Sequence, residues 1–302
     1  RNPKDQKKVG HLLKLAEGSQ GILKLFAGDL LKESSYLEAM QGCEVVFHTA
    51  SPFTTNISDP VKELMEPAVN GTENVLNSVN QTPSIKRVVL TSSCAAMYSD
   101  AIDTQREPGG MLTENSWNKT ATLTYQPYSL SKTLAEKKAW EMVGEQSRWD
   151  LVAINMSLVL GPSLNFADNT SESIQILKQM GDGTLRFGAP RLAFGVVDVR
   201  DVAETHYRAA FTPHASGRYI TSAHASDIYE MASTLKPRYG KNYPLPGWVS
   251  PKWMIMLLGP LMNKSLTRKF IQGNIDQAWK ADNSKVKKEL GMEFRSLEET
   301  MN

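Results

Sequence analysis

The sequence predicts an α/β fold, a doubly wound parallel sheet with a smaller, mainly helical second domain. Two observations carry that expectation. Short apolar runs at residues 21–26, 44–48, 87–91 and 151–155 alternate with longer segments of helical period at 4–16, 34–40, 63–79 and 129–143. A strand covered on both faces is apolar throughout, and strands that alternate with helices pair in parallel, each helix crossing a face of the sheet. After Gly161-Pro162 the rhythm loosens, yet sheet-like pieces return at 195–198 and 217–221. Residues 1–160 with 190–222 are therefore expected to form the sheet domain, and 161–189 with 223–302 a second domain interleaved with it. Near the end, Lys285 to Leu290 closes on Gly291 as a helix stop, and Ser296-Leu297-Glu298-Glu299 has the spacing of a helix start.

Composition narrows the function. The 302 residues carry 34 Lys and Arg against 32 Asp and Glu, a net charge of +2 too balanced for a protein whose main partner is nucleic acid. Cys43 and Cys94 are the only cysteines, so neither a disulfide framework nor a cysteine zinc site can be built, and they read as reduced thiols of a cytoplasmic protein. His11, His48, His206, His214 and His224 show no metal spacing. The longest apolar run, 253–262, contains Gly259-Pro260 and falls far short of the ~20 residues that span a bilayer, so no membrane span is expected.

The sharpest local signal is Tyr128-Ser129-Leu130-Ser131-Lys132 at the start of the 129–143 helix. Four residues make one helical turn, so phenol and ammonium project from the same face. A free phenol has a pKa near ~10, and a neighbouring cation favours its phenolate. The pair is then a general acid suited to protonating an alkoxide. Thr91-Ser92-Ser93 ends a buried strand at the carboxyl edge, where parallel sheets place their ligands, and a hydroxyl there can hold the oxygen that Tyr128 protonates.

Ser93, Tyr128 and Lys132 resemble the Ser-Tyr-Lys set of the extended short-chain dehydrogenases, and the surrounding sequence is similar to their dihydroflavonol-reductase-like branch. The resemblance rests on landmarks in the family's order, among them Gly28-Asp29-Leu30, Val46-Phe47-His48-Thr49-Ala50-Ser51-Pro52, Lys86 through Ser93, Ser131-Lys132-Thr133-Leu134-Ala135-Glu136, Leu158 through Pro162, and Val197 through Ala203. It implies a Rossmann-type sheet and NADP(H) as cofactor, with Tyr128 as the acid, Lys132 as its pKa modifier and ribose ligand, and Ser93 orienting the carbonyl. It further implies that Asp29 and Leu30 contact the adenine. Thr49, Ala50, Ser51, Thr91, Met156, Val159 and Ser173 would line the rest of the groove, Met156 standing where relatives have Pro. Arg1 and Lys8 fall on the basic pair that relatives use for the 2′-phosphate, a role suited to guanidinium geometry. Arg1-Asn2-Pro3 matches the segment after the family's second strand, which implies that about 30 residues bearing the Gly-rich phosphate loop lie upstream.

Three departures bear on the substrate. Tyr98 stands where flavonoid reductases carry Asn. Tyr125-Gln126-Pro127-Tyr128-Ser129 replaces the Asn-Trp-Tyr-Cys-Tyr signature of cinnamoyl-CoA reductases, and Asn155-Met156-Ser157 replaces the Arg-Pro of nucleotide-sugar epimerases. The expected activity is NADPH-dependent reduction of a small hydrophobic aldehyde or ketone by a monomer or dimer. A nucleotide-sugar epimerase or dehydratase and a non-catalytic NADP-binding regulator are the alternatives. The substrate is expected between Tyr98 and a lid from the 248–262 stretch, Trp253 foremost, with Pro251 and Gly259-Pro260 interrupting any single straight helix there.

Overall fold

The computed structural model describes residues 3–51, 58–165 and 171–302. In chain order the elements run α1 (Gln6–Ala16), α2 (Leu37–Met40), β1 (Val45–His48), α3 (Glu66–Asn80), β2 (Arg87–Ser93), α4 (Ala101–Arg106), α5 (Pro127–Gly144), β3 (Asp150–Met156) and β4 (Leu158–Leu160). They continue as α6 (Glu172–Gly181), β5 (Ala193–Asp198), α7 (Val199–Phe211), β6 (Gly217–Thr221), β7 (His224–Asp227), α8 (Ile228–Tyr239), α9 (Lys252–Met262), α10 (Arg268–Asn274), α11 (Ser284–Leu290) and α12 (Leu297–Met301).

Four strands pair in parallel in the order β1-β2-β3-β6. Because side chains alternate along a strand, each strand feeds two cores. Val88, Leu90, Leu151 and Ala153 pack with residues of α3 and α5 on one face. Val89, Val152 and Ile154 pack with residues of α7 and α11 on the other. That is the doubly wound arrangement the apolar runs predict. Arg87 locks the amino ends of the central pair. Its guanidinium donates to both carboxylate oxygens of Asp150, at 2.7 and 2.8 Å, and its Nη1 reaches the carbonyls of Ala209 and Thr212 at the end of α7.

The second sheet, β4-β5-β7, has β4 and β5 parallel and β5 and β7 antiparallel. Residues 193–198 thus belong to this small sheet, whereas the sequence reading grouped them with the large one; of the two returning strands, β6 alone joins β3.

Three local expectations are corrected. Residues 21–26 are extended but unpaired, with Ile22 87% exposed, because no described strand lies beside them to complete a ladder. The helix expected over 34–40 starts at Leu37, since Ser34 sits at φ 59°, in the left-handed region that a right-handed helix cannot pass through. The 251–262 stretch forms one helix, because Pro251 occupies the N-cap, where no donor is needed, and Pro260 lies in the last turn. The expected stops at the carboxyl end hold: Gly291 is left-handed at φ 62°, and the Ser296 side chain accepts from the Glu299 backbone.

Gly195 on β5 marks the tightest packing between the small sheet and its surroundings. A Cβ there would lie 2.4 Å from the Trp279 ring and 2.5 Å from Ser222 Oγ. Gly195→Ala should lower the unfolding free energy by about 1–3 kcal/mol, the range for overpacking a filled core. Urea denaturation followed by circular dichroism, with the slope unchanged and the midpoint shifted down, checks it.

Candidate active site

The carboxyl ends of β1, β2 and β3 and the first two turns of α5 converge. Ser93, the last residue of β2, caps a short 3-10 turn, its Oγ accepting from the Ala95 backbone at 3.1 Å. Helix α5 opens with Gln126 in the left-handed region at φ 56° and Pro127 in its first turn. Gln126 therefore turns the chain sharply into the helix, a conformation that costs a non-glycine residue of order 1 kcal/mol or more and collects at functional sites. Tyr128 follows at once, hydrogen bonded to the Ser93 side chain, and the Lys132 ammonium lies 5.6 Å from the centre of its ring. The three residues singled out as a catalytic set are thus brought together by the fold.

Burial sets their titration. The Tyr128 phenol is pushed up to about 12, burial outweighing the hydrogen bond with Ser93. The Lys132 amine is pushed down to about 8 by burial. The sequence argument had a nearby cation lowering the phenol; in the structure desolvation dominates both groups. Lys132 Nζ donates to Ser51 Oγ at 2.8 Å, and an ammonium has two further hydrogens to give. His48, at the end of β1, is buried, and its imidazole is pushed down to about 4 by burial and by the Lys132 charge. It is neutral at physiological pH.

A cleft of about 720 Å³ opens beside β1, lined by Gly28, Asp29, Leu30, Tyr36, Thr49, Ala50 and Ser51 among others. Its floor is anchored to α3: Asn74 Nδ2 donates to the Leu30 carbonyl at 2.8 Å, and Leu30 packs on Gly71, where a Cβ would come within 3.3 Å. Ser51 borders this cleft and also the smaller cavity lined by Thr91 and Lys132, so the two are neighbours at that residue. The Thr91 hydroxyl is held by His206. His206 Nδ1 donates to the Val202 carbonyl, which leaves Nε2 as an acceptor for the Thr91 hydroxyl at 2.8 Å.

Other expected site residues lie elsewhere. Val159, Ser173 and Lys8 line a separate cleft of about 680 Å³, against the loop after β4. Helix α1 is held there by Asn165, whose Nδ2 donates to the Lys7 carbonyl at 3.2 Å, so Lys8 is not brought to Asp29 and Leu30. Arg1 lies outside the described residues. Met156 pairs with Ser93 in the sheet register, beside the catalytic set. Tyr98 packs with Cys94, Met97, Leu112 and Trp279, edge-on to the Trp279 ring at 6.1 Å, in a core cluster. Trp253 is 69% exposed on α9.

The sequence reading missed a buried polar knot beneath the site. Glu136 stands one turn after Lys132 and two after Tyr128, on the same stripe of α5, and is 1% exposed. Its Oε2 accepts from Ser92 Oγ at 2.5 Å and Asn155 Nδ2 at 2.7 Å; its Oε1 accepts from Arg218 Nε at 2.7 Å and Trp140 Nε1 at 3.1 Å. Arg218, also buried, passes its remaining hydrogens to the Glu114 and Ser116 carbonyls, and its guanidinium lies 4.0 Å from the centre of the Trp117 ring. A second missed group is Asp100, buried between the Tyr125 hydroxyl at 2.8 Å and Asn274 Nδ2 at 2.6 Å, which ties α10 to the loop that leads into α5. The sequence signal available for Glu136 was a carboxylate at helical spacing from Tyr128 on a stripe that must face the sheet.

Residues 5–215 match the 3-beta hydroxysteroid dehydrogenase/isomerase family. The chain belongs to that family. It lies in the dihydroflavonol-reductase-like branch, as its relatives among the reductases indicate. The chain is 41% identical over 243 residues to a cinnamoyl-CoA reductase of Medicago truncatula, covering 78% of this chain and 72% of that one. It is 38% identical over 250 residues to tetraketide alpha-pyrone reductase 1 of Arabidopsis thaliana, covering 82% and 74%. Among solved structures it is similar to yeast methylglyoxal/isovaleraldehyde reductase Gre2 complexed with NADPH, at 28% identity and a TM-score of 0.74, covering 98% of this chain and 86% of that one. The family places the chain among the oxidoreductases, and the parallel sheet with helices on both faces is their shared frame.

The Glu136 knot has a measurable consequence for this oxidoreductase. Glu136→Gln should cost about 3–5 kcal/mol of stability, the range for leaving one partner of a buried pair uncompensated. Urea denaturation of that variant, and of the double variant with Arg218→Met, checks it: the double variant should lose less than the two single losses combined.

Proposed function

We propose that this oxidoreductase uses NADPH to reduce a hydrophobic aldehyde or ketone to the alcohol, with Tyr128 as general acid and Lys132 and Ser93 as its partners. One observation supports the reading above the others: phenol, hydroxyl and ammonium meet at the carboxyl edge of β2, and the ammonium bonds to Ser51, which lines the cleft along β1. The residues present fit a nicotinamide dinucleotide. Lys132 is a half-buried ammonium whose partner is a hydroxyl, the chemistry a ribose diol offers, and the cleft along β1 has apolar walls at Leu30 and Tyr36 with a carboxylate, Asp29, between them.

NADPH, when bound, supplies the hydride to the carbonyl carbon. The protein's part is the proton. Ser93 Oγ–H, within hydrogen-bonding distance of the phenol, donates a hydrogen bond to the carbonyl oxygen and holds it beside Tyr128. The Tyr128 Oη–H gives its proton to that oxygen as negative charge builds there, and the Lys132 ammonium stabilises the phenolate that remains. A phenol pushed up to about 12 stays protonated at neutral pH, the form an acid must have. The apolar character of the substrate draws on two of the names its relatives carry, cinnamoyl-CoA and, beside methylglyoxal, isovaleraldehyde.

Tyr128→Phe should reduce kcat by ~10²- to 10⁴-fold, the usual contribution of a positioned acid, and leave NADPH affinity within a few fold. NADPH absorbance measures the first and fluorescence titration the second. Near-normal turnover in that variant would overturn the mechanism.

The pH profile of reduction follows from Lys132. Its amine, pushed down to about 8, is charged below that pH and neutral above it, so kcat should fall as pH rises through about 8 while Tyr128 remains protonated. Lys132→Arg, which keeps its charge throughout, should remove that alkaline limb even if its overall rate is lower. A flat profile from pH 7 to 10 in the unmodified enzyme would assign the stabilisation of the phenolate to another group.

A further inference from the structure

The outward face of α9 is apolar and uncovered. Trp253, Leu257 and Leu261 recur every four residues and are 69%, 66% and 85% exposed, with Leu258 beside them at 44%. The patch extends beyond the helix. The Ala189 backbone donates to the Trp248 carbonyl and the Ser250 backbone to the Ala189 carbonyl, which sets Phe187 and Trp248, 70% and 47% exposed, next to the start of α9. The Arg186 guanidinium lies 4.4 Å from the centre of the Phe187 ring. Isolated exposed apolar side chains are ordinary, but a contiguous set with three aromatic or leucine residues on one helical stripe marks an interaction surface.

Charge says what covers it. From residue 231 to residue 275 the chain carries seven Lys and Arg and no Asp or Glu, while the rest carries 27 Lys and Arg against 32 acids. Two of these residues lie near the patch: Lys264 stands two residues past the end of α9, and Arg268 opens α10, which packs against α9. Both are exposed. A second copy docked on this face by a two-fold axis would set each cationic rim near its own image, a like-charge arrangement that opposes closure. A bilayer bearing anionic lipid meets both features, because aromatic and leucine side chains enter the headgroup boundary while Lys and Arg meet lipid phosphates. With 11 residues, α9 lies in such an interface and does not cross it.

We infer that α9, with the Phe187 and Trp248 loops, is a docking face for the surface of an anionic lipid bilayer. It holds the reductase at a membrane surface, where apolar carbonyl compounds partition. The docking face uses none of Ser93, Tyr128 or Lys132, so it stands or falls apart from the catalytic reading.

The test is sedimentation of the full chain with vesicles of phosphatidylcholine alone or mixed with phosphatidylglycerol. Binding to the mixed vesicles should be at least roughly tenfold stronger than to phosphatidylcholine, weaken as salt is raised, and shift tryptophan emission to the blue. Leu257→Glu with Leu261→Glu should abolish binding, and Lys264→Ser with Arg268→Ser should remove the preference for phosphatidylglycerol. Circular dichroism confirms that each variant is folded; the second pair lies wholly at the exposed surface and provides the test if the first fails to fold. Equal partitioning to neutral and mixed vesicles overturns the proposal, as does a wild-type protein that stays in the supernatant. Concentration-dependent dimerisation abolished by the leucine variants, with no vesicle binding, assigns the face to a second copy instead.

Discussion

The Glu136 carboxylate is the point on which the site depends. Four residues, one each from α5, β2, β3 and β6, donate to its two oxygens, so one buried charge fixes the rotation of α5 against three parallel strands. The rotation matters because Tyr128, Lys132 and Glu136 share one helical stripe: turning α5 about its axis would carry the phenol and ammonium away from the strand ends. The same carboxylate holds Ser92, the neighbour of Ser93, and so sets the end of β2 that presents the hydroxyl to Tyr128. A buried, hydrogen-bonded ion pair is costly to assemble and costly to break, and it specifies one register.

Above that knot, burial does the electrostatic tuning. Tyr128, Lys132 and His48 are all drawn toward their neutral forms, the phenol upward and the two bases downward, because the low-dielectric pocket penalises charge of either sign. Lys132 alone is left charged near neutrality with a margin of about one pH unit. The Tyr128 phenol thereby has the Lys132 cation beside its ring, and neutral His48 adds no competing charge.

The two clefts illustrate how much depends on how the chain packs. The segment at 28–31 is pinned to α3 by Asn74 and Gly71 and forms a cleft with the end of β1. Helix α1, which sequence places just ahead of it, is held instead against the loop after β4. Asp100, with Tyr125 and Asn274, joins α10 to the loop that leads into α5 and so to Tyr128.

The periodicity of 87–91 and 151–155 was enough to place two central strands and the helices that cover them, because burial on both faces demands apolar side chains at every position of a short run. The one-turn spacing of Tyr128 and Lys132 and the position of Ser93 at a strand end made the proximity of these three residues legible, since both are properties of local geometry. The unpaired state of 21–26 was not legible, because a strand exists only where a neighbour completes its ladder. Nor was the membership of β5 in the small sheet, or the packing of Tyr98 on Trp279 rather than in a substrate wall, both contacts between residues distant in sequence. Glu136 was visible as a carboxylate on the catalytic stripe, but its meaning required Arg218, 82 residues away, and Asn155 to arrive at the same point. Local spacing determines which groups can act together on one element; tertiary packing alone decides which groups from different elements meet, how far each is desolvated, and so which way its pKa moves.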